Sequence, residues 1–406
     1  MSTSILYHGW GLKNYSHSRT EYRDGAMFFH VEKHQEKRVC PRCGGREFAL
    51  AGKVSPAPTI RSLPIGRKPV FLVPQLHRIE CFRCEAVVQE DRLFAAPKKH
   101  FSHQLEQYIL DLCRSMTIED VAVHLDMSWE TVKDIVKADL GKRAAQIRWR
   151  GLRLIAIDEV SVRKGQDYLT VVLDLETGRV LYVTESRRAE ALAPFFKKIR
   201  RSRTKLEAVA MDMSNSYKLA LELYYRRPCS IVYDRFHVMK LLHFAIDQIR
   251  REEMRKAISD EARRFLKGQR FLLLRASENL EPEQLDALET LLKANGTLCT
   301  AYILKEQLRL LWDQTTKSDG ERYLRAWIAK AAESGIKRLM KFAKTLQDHW
   351  EGLVSYFDHR ISTGPLEGVN NSIKVLKRKA YGYRDVDFFK LRILFIHECG
   401  LKLTNA

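Results

Sequence analysis

LRLIAIDEV (Leu152–Val160), YLTVVLD (Tyr168–Asp174), RVLYVT (Arg179–Thr184), LEAVAMD (Leu206–Asp212) and CSIVYD (Cys229–Asp234) are five short apolar runs that set the fold class of this 406-residue chain. Each has the length and β-branched content of a buried strand. LETG (Leu175–Gly178) between the second and third has the make-up of a tight hairpin loop. Helical patterns separate the later runs: AEALAPFFKKIRRS before the fourth and NSYKLALELYYRR before the fifth. The order β, β, β, α, β, α, β predicts a mixed five-stranded sheet, three strands meandering and two reached by crossover helices. The first and fourth runs carry Asp158 and Asp212 where the chain is expected to leave the sheet, the edge at which α/β sheets collect chemistry. If those strands are neighbours, the two carboxylates face each other. Asp234 also closes a strand and competes with Asp212 for the second place, while Glu159 and Asp174 are lesser rivals, Asp174 being placed to serve the hairpin.

Lys and Arg exceed Asp and Glu by 20 charges, which points to a polyanion such as nucleic acid. The opening residues lack the apolar segment and cleavage site of a secretory signal, and no run reaches the ~18 apolar residues of a membrane helix. A cytoplasmic, nucleoid-associated protein with no membrane partner is expected.

Upstream of the sheet, Cys40 and Cys43 form one Cys-x-x-Cys pair, and Cys81 and Cys84 a second. Two such pairs complete a four-thiolate shell for a structural Zn²⁺, with Gly44 and Gly45 supplying the freedom a knuckle turn needs. Strand-like pieces between the pairs predict a small β module. Four protein ligands leave no open position, so this ion is not a catalyst. Cys113, Cys229, Cys299 and Cys399 stand singly in apolar contexts and read as inert thiols.

MTIEDVAVHLDMSWETVKDIVKADL reads as two helices joined by a short turn. Thr117 and Ser128 are placed as caps; Ile118, Val121, Ala122 and Leu125 face inward from the first helix, and Trp129, Val132, Ile135 and Val136 from the second. This is the layout of a helix-turn-helix, whose second helix would present Thr131, Lys133 and Lys137, together with Glu130 and Asp134, to a major groove. A basic linker, GKRAAQIRWRG, leads into the sheet.

Beyond Met239 the pattern is helical and rich in Arg and Lys as far as Phe357. Then comes HRISTGPLEGVNNSIKVLKRKAYGYR, where Ser362 or Thr363 can cap a helix with Pro365 in its first turn. Glu367 stands near its start, Asn371 one turn on, Lys374 about two turns on, and Lys377, Arg378 and Lys379 at its end. A carboxylate beside amides and a row of cations suits a site that holds metal and phosphate together. Three carboxylates at a sheet edge can hold two Mg²⁺ ions about 4 Å apart for phosphodiester displacement. No P-loop or GxGxxG sequence is present, which argues against nucleotide use.

Taken together, IDEVSVRKGQDYLTVVLDL, VAMDMSNSY, IVYDRFHVMK and STGPLEGVNNSIKVLKRKAYGYR resemble the DDE transposases of bacterial insertion sequences, most closely the ISL-three family. The resemblance spans about residues 38 to 400. It implies an RNase H-like catalytic core in which Asp158, Asp212 and Glu367 bind two Mg²⁺ ions, with Mn²⁺ a substitute. It also implies that Asp234 and His237, within DRFH, support the active site, as do Asn371 and Lys374. The domain division expected is 1–97 for the zinc-binding module, 98–150 for the helix-turn-helix and basic linker, 151–238 for the first part of the core, 239–357 for an all-α insertion, and 358–406 for the C-terminal helices with the catalytic Glu. The implied activity is binding of terminal inverted repeats, metal-dependent cleavage of the element's ends and joining of the freed 3′-hydroxyl to target DNA, by a homodimer or larger assembly on double-stranded DNA. A non-catalytic DNA-binding regulator and a structure-specific RNase H-like nuclease are the alternatives.

Overall fold

The computed structural model describes residues 4–162 and 168–398, so Cys399 lies outside the described residues. The chain forms two compact units, one running from the N-terminus to Ala145, the other from Gln146 to His397.

The first unit begins with helix α1 (Ile5–Trp10) and strands β1 (Tyr15–Arg23), β2 (Ala26–Lys33), β3 (Phe48–Lys53), β4 (Ile60–Ile65), β5 (Lys68–Gln75), β6 (His77–Cys81) and β7 (Ala86–Gln89). These make two sheets, ordered β1-β2-β5-β4 and β3-β6-β7. Trp10, Leu12, Val31, Ile60, Val70 and Leu72 form the core of the first. Three helices follow: α2 (His103–Leu112), α3 (Ile118–Leu125) and α4 (Trp129–Ala145). Thr117 and Asp120 close a reciprocal capping box on α3, and the Ser128 hydroxyl accepts from the Thr131 N–H at 3.2 Å at the start of α4. Asp126 turns the chain between them with φ +50°. The Arg61 guanidinium, from β4, donates to the carbonyl oxygens of Leu125 and Asp126, satisfying acceptors that the end of α3 leaves open.

In the second unit, β8 (Leu154–Ser161), β9 (Tyr168–Asp174), β10 (Val180–Thr184), β11 (Ala208–Met211) and β12 (Ser230–Tyr233) form one sheet ordered β10-β9-β8-β11-β12. The three meander strands pair antiparallel, and β11 and β12 join parallel to β8 and to each other. This is the mixed five-stranded sheet expected from the sequence. Asp174 holds the β9–β10 turn, accepting from the Glu176 N–H at 3.0 Å and the Thr177 hydroxyl at 2.5 Å. One face is covered by α5 (Ala189–Arg201) and by α6 (Asn215–Ala220) with the π-turn after it, which bury Phe195, Phe196, Ile199, Tyr217 and Tyr225 against Ile155, Ile157, Val209 and Met211.

Helix α7 (Arg235–Lys256) leaves β12 directly and continues without a break past residue 238, where the sequence reading divides core from insertion. The helices that follow are α8 (Asp260–Gly268), α9 (Arg270–Leu274), α10 (Pro282–Ala294), α11 (Gly296–Arg309), α12 (Lys317–Glu333), α13 (Lys337–Asp348), α14 (Trp350–Val354) and α15 (Tyr356–His359). Trp312 and Trp327 are buried among them. Helix α16 (Gly364–Lys379) lies against β8 and α17 (Val386–Leu394) against β10, as the apolar face of VDFFKLRIL leads one to expect.

Candidate active site

Strand register places three aspartates in one row. Ala210 lies beside Ala156 in the parallel β8–β11 pair, so continuing one-for-one sets Asp212 beside Asp158. Met211 lies beside Tyr233, so the next residue along is Asp234, whose N–H donates to the Met211 carbonyl at 3.0 Å. β8 itself does not end at Asp158; it runs on to Ser161 paired with β9 alone.

The three carboxylates differ in what they touch. Asp158 accepts from the Asn370 side-chain amide at 3.0 Å through Oδ2, and its Oδ1 lies 3.9 Å from His237 Nε2. Asp212 keeps Oδ1 buried with no hydrogen-bond partner among the described residues. Asp234 has both oxygens engaged: one accepts from the Phe236 N–H at 2.8 Å, capping α7, and the other takes the Thr363 hydroxyl from the start of α16. Burial raises the Asp158 and Asp212 carboxyls above the ordinary range, and the neighbouring aspartates push Asp158 further up. On the other face of β8, Glu159 accepts from Tyr217 Oη at 3.0 Å and pairs with Arg187 at 2.6 Å.

Helix α16 turns Leu366, Val369, Asn370, Ile373 and Leu376 inward and leaves Glu367, Asn371, Lys374, Arg378 and Lys379 exposed. The Lys377 ammonium donates to the Val162 carbonyl. Glu367 therefore sits one turn from the amide that holds Asp158, yet its carboxylate is not gathered with the two aspartates into one cluster of ligand atoms; among the described residues only the four cysteines are. Asn370, and Thr363 in a role beyond that of a cap, are contributors the sequence pattern does not single out. The signal for Asn370 was present, since Leu366, Val369, Ile373 and Leu376 mark the buried face on which it falls.

Two further sites lie in the first unit. The thiols of Cys40, Cys43, Cys81 and Cys84 lie within 4.8 Å of one another, with Sγ–Sγ separations of 3.8 Å (Cys40–Cys84) and 3.6 Å (Cys43–Cys81). A tetrahedron of ~2.3 Å metal–sulfur bonds has edges of about 3.8 Å. Gly44 takes φ +72° in the first knuckle, and a Cβ on Gly45 would stand 3.3 Å from both Cys43 Sγ and Cys81 Sγ. In the helix pair, Val132, Ile135 and Val136 are buried as expected, but Trp129 is 41 % exposed, with the Lys133 ammonium 5.4 Å from its ring centroid. Trp129 is the first residue of α4 and precedes the first of its buried positions, Val132. Thr131 pairs its hydroxyl with Ser128 at 2.8 Å, and Lys133 lies 3.5 Å from Asp134; Thr131, Lys133 and Lys137 are all half-buried.

A family profile described as "Transposase" matches residues 155–393, and one described as "Helix-turn-helix domain of transposase family ISL3" matches residues 93–139. The chain belongs to the ISL3 family of transposases. It is 31 % identical over 391 residues to the transposase for insertion sequence element IS1001 of Bordetella parapertussis, covering 95 % of each chain. It is 28 % identical to the transposase for insertion sequence element IS1557 of Mycobacterium tuberculosis, covering 86 % of this chain and 83 % of that one. A solved structure titled "Drosophila P element transposase strand transfer complex" aligns with a TM-score of 0.37 at 10 % identity, over 76 % of this chain and 94 % of that chain. The family match makes this an insertion-sequence transposase and a DDE-type enzyme with a helix-turn-helix DNA-binding region. Among its described residues no helix is long and apolar enough to cross a membrane.

Proposed function

We propose that this transposase binds the terminal inverted repeats of its element, cleaves the ends by phosphodiester hydrolysis and joins the freed 3′-hydroxyl to target DNA, using Asp158, Asp212 and Glu367. The observation that carries this reading is the row of aspartates on β8 and directly after β11 and β12, in which Asp212 alone keeps a buried oxygen without a partner among the described residues. Asp234, with both oxygens engaged, acts by holding α7 and α16 in register and not as a ligand.

The donors fit Mg²⁺ or Mn²⁺: hard carboxylate oxygens, one of them buried and unpaired. Asp158, Asp212 and Glu367 would hold the ions. Bound there, two such ions would supply activation of the attacking oxygen and stabilisation of the leaving one. The chain's own residues do the rest. Asn370 and His237 orient the Asp158 carboxylate from two sides. Lys374, Arg378 and Lys379 are exposed on the helix that bears Glu367, where cations can draw in the phosphate backbone; Asn371 lies on the same exposed side. Lys377 anchors the end of that helix to Val162, the residue after β8, and reaches phosphate only if it releases the Val162 carbonyl.

The sheet order, with its antiparallel meander and two parallel strands, supports an RNase H-like core over 151–238, interrupted by the α-helical insertion 239–357 and completed by 358–406. The cysteine geometry supports a structural Zn²⁺ in the module 1–97, and α4 supports major-groove reading by Thr131, Lys133 and Lys137 within 98–150. Two ends must be processed, so a homodimer or larger assembly on DNA is part of the proposal.

The test is cleavage and joining of a labelled duplex carrying the element's end, with Mg²⁺ or with EDTA. Metal-dependent nicking at the end followed by strand joining supports the proposal. Binding without cleavage in any divalent metal would favour a regulator, and cleavage indifferent to end sequence a structure-specific nuclease.

A further inference from the structure

We propose that Asn370 is itself an oxygen ligand of the catalytic cation site, shared with Asp158 and Asp212; this inference rests on the metal-dependent reading above. Asn370 is 94 % buried, at 6 % exposure. An amide so deeply placed normally has both ends satisfied. Its Nδ2 donates to Asp158 Oδ2 at 3.0 Å, and that contact fixes which way the amide faces, because the reverse orientation would set a carbonyl oxygen against a carboxylate. The consequence is that Oδ1 is left buried with no hydrogen-bond partner among the described residues.

Asp212 Oδ1 is in the same condition. Two buried acceptors without donors, one on the amide that contacts Asp158 and one on the aspartate that follows the neighbouring strand, are each costly to desolvate unless something electropositive reaches them. The described side chains offer no donor to either oxygen. A hard divalent cation suits them, since such ions take oxygen ligands from amide carbonyls as well as from carboxylates. A neutral ligand beside ionised aspartates also adds coordination without adding like-charge repulsion. Asn370 thus has two functions: its N–H orients one acid, and its carbonyl completes the shell.

A buried water would satisfy the same atom, so the test reads metal affinity directly. Mn²⁺ binding is titrated on the full chain, purified with Zn²⁺ present, by the loss of the free-ion EPR signal, without DNA and without turnover. Four proteins are compared: wild type, Asp212→Asn, Asn370→Ala and Asn370→Asp, each checked by far-UV circular dichroism. If Oδ1 is a ligand, Asn370→Ala weakens Mn²⁺ about tenfold or more, and Asn370→Asp, which keeps an oxygen but loses the donor, binds at least as tightly as wild type. Wild-type affinity in Asn370→Ala overturns the inference. So does an equal loss in Asn370→Asp, which would mean that only the donor to Asp158 matters. Should the alanine variant fail to fold, the aspartate variant decides alone, retention supporting a ligand and loss refuting it. If wild type does not bind Mn²⁺, or Asp212→Asn binds it unchanged, the metal-site reading fails, and this inference with it. Loss in Asp212→Asn without loss in Asn370→Ala removes the Asn370 inference only.

Discussion

Asp212 is an acid placed where its ionised form is costly. Burial raises its carboxyl, with His237, the Ser214 backbone N–H, Arg187 and Lys240 opposing that rise. An aspartate whose folded pKa lies above its unfolded value near 3.9 binds its proton more tightly in the native state. The metal-free chain is therefore relieved of this burden at acid pH and loses stability as pH rises through the carboxylate range. Asp212→Asn should accordingly raise the Tm of EDTA-treated protein at pH 7 by a few degrees, about 2–4 °C for each kcal/mol in a unit of this size, with the gap closing toward pH 4. Thermal melts at the two pH values check this, and an unchanged or lower Tm at pH 7 would contradict it. The pairing of Asp158 with Asp212 followed from strand order, a regular consequence of chain chirality. The preference for Asp212 over Asp234 gains support only from hydrogen bonds, because the Thr363 hydroxyl that engages Asp234 comes from 129 residues away. Choosing Asn371 over Asn370 rested on the i, i+4 neighbour of Glu367, whereas i+3 is an equal neighbour on a helix and here falls on the buried side.

Among the elements, the contact of α14 with β12 bears most directly on the site. A Cβ on Gly352 would stand 2.3 Å from Tyr233 Cε2, and Tyr233 immediately precedes Asp234. The helix comes this close because its residue at the crossing has no side chain. Gly352→Ala should force the tyrosine ring aside, cost about 1–3 kcal/mol by overpacking, and lower cleavage more than DNA binding. Denaturant melts and end-cleavage assays test this; wild-type stability would contradict it. Nothing in the sequence marked Gly352, because only the fold brings α14 and β12 together. Caps and turns were legible, as Thr117 and Asp174 illustrate, since their partners lie within three residues. Trp129 departs from the inward face its spacing predicts because apolar periodicity does not show which turn of a helix is left open to solvent.

At the scale of the whole chain, the first unit explains the wide spacing of the cysteine pairs. Strands β4 and β5, between Cys43 and Cys81, belong to a different sheet from the one that carries Cys81. The metal knuckles thus close a loop that has already contributed to a second sheet, something spacing alone does not reveal. The thiols should divide by chemistry. Burial pushes Cys229 up to about 12, so it should resist iodoacetamide at pH 8, whereas Cys40, Cys43, Cys81 and Cys84 should be protected as prepared and alkylated after a chelator removes the metal. Peptide mass spectrometry with and without chelator reads this; alkylation of the four before chelation would contradict a bound metal. The sheet was legible from its five apolar runs, the continuity of α7 across the insertion boundary was not, and the site is the place where the two meet.

The most direct measurement of the central claim is cleavage of a labelled end duplex in Mg²⁺ by wild type, Asp158→Asn, Asp212→Asn, Glu367→Gln and Asp234→Asn, with binding measured for each. The account predicts that the first three variants bind as wild type and lose cleavage by three orders of magnitude or more, about 4 kcal/mol of transition-state stabilisation, while Asp234→Asn keeps measurable cleavage with reduced stability. Cleavage that survives in Asp212→Asn but is abolished in a folded Asp234→Asn would contradict it.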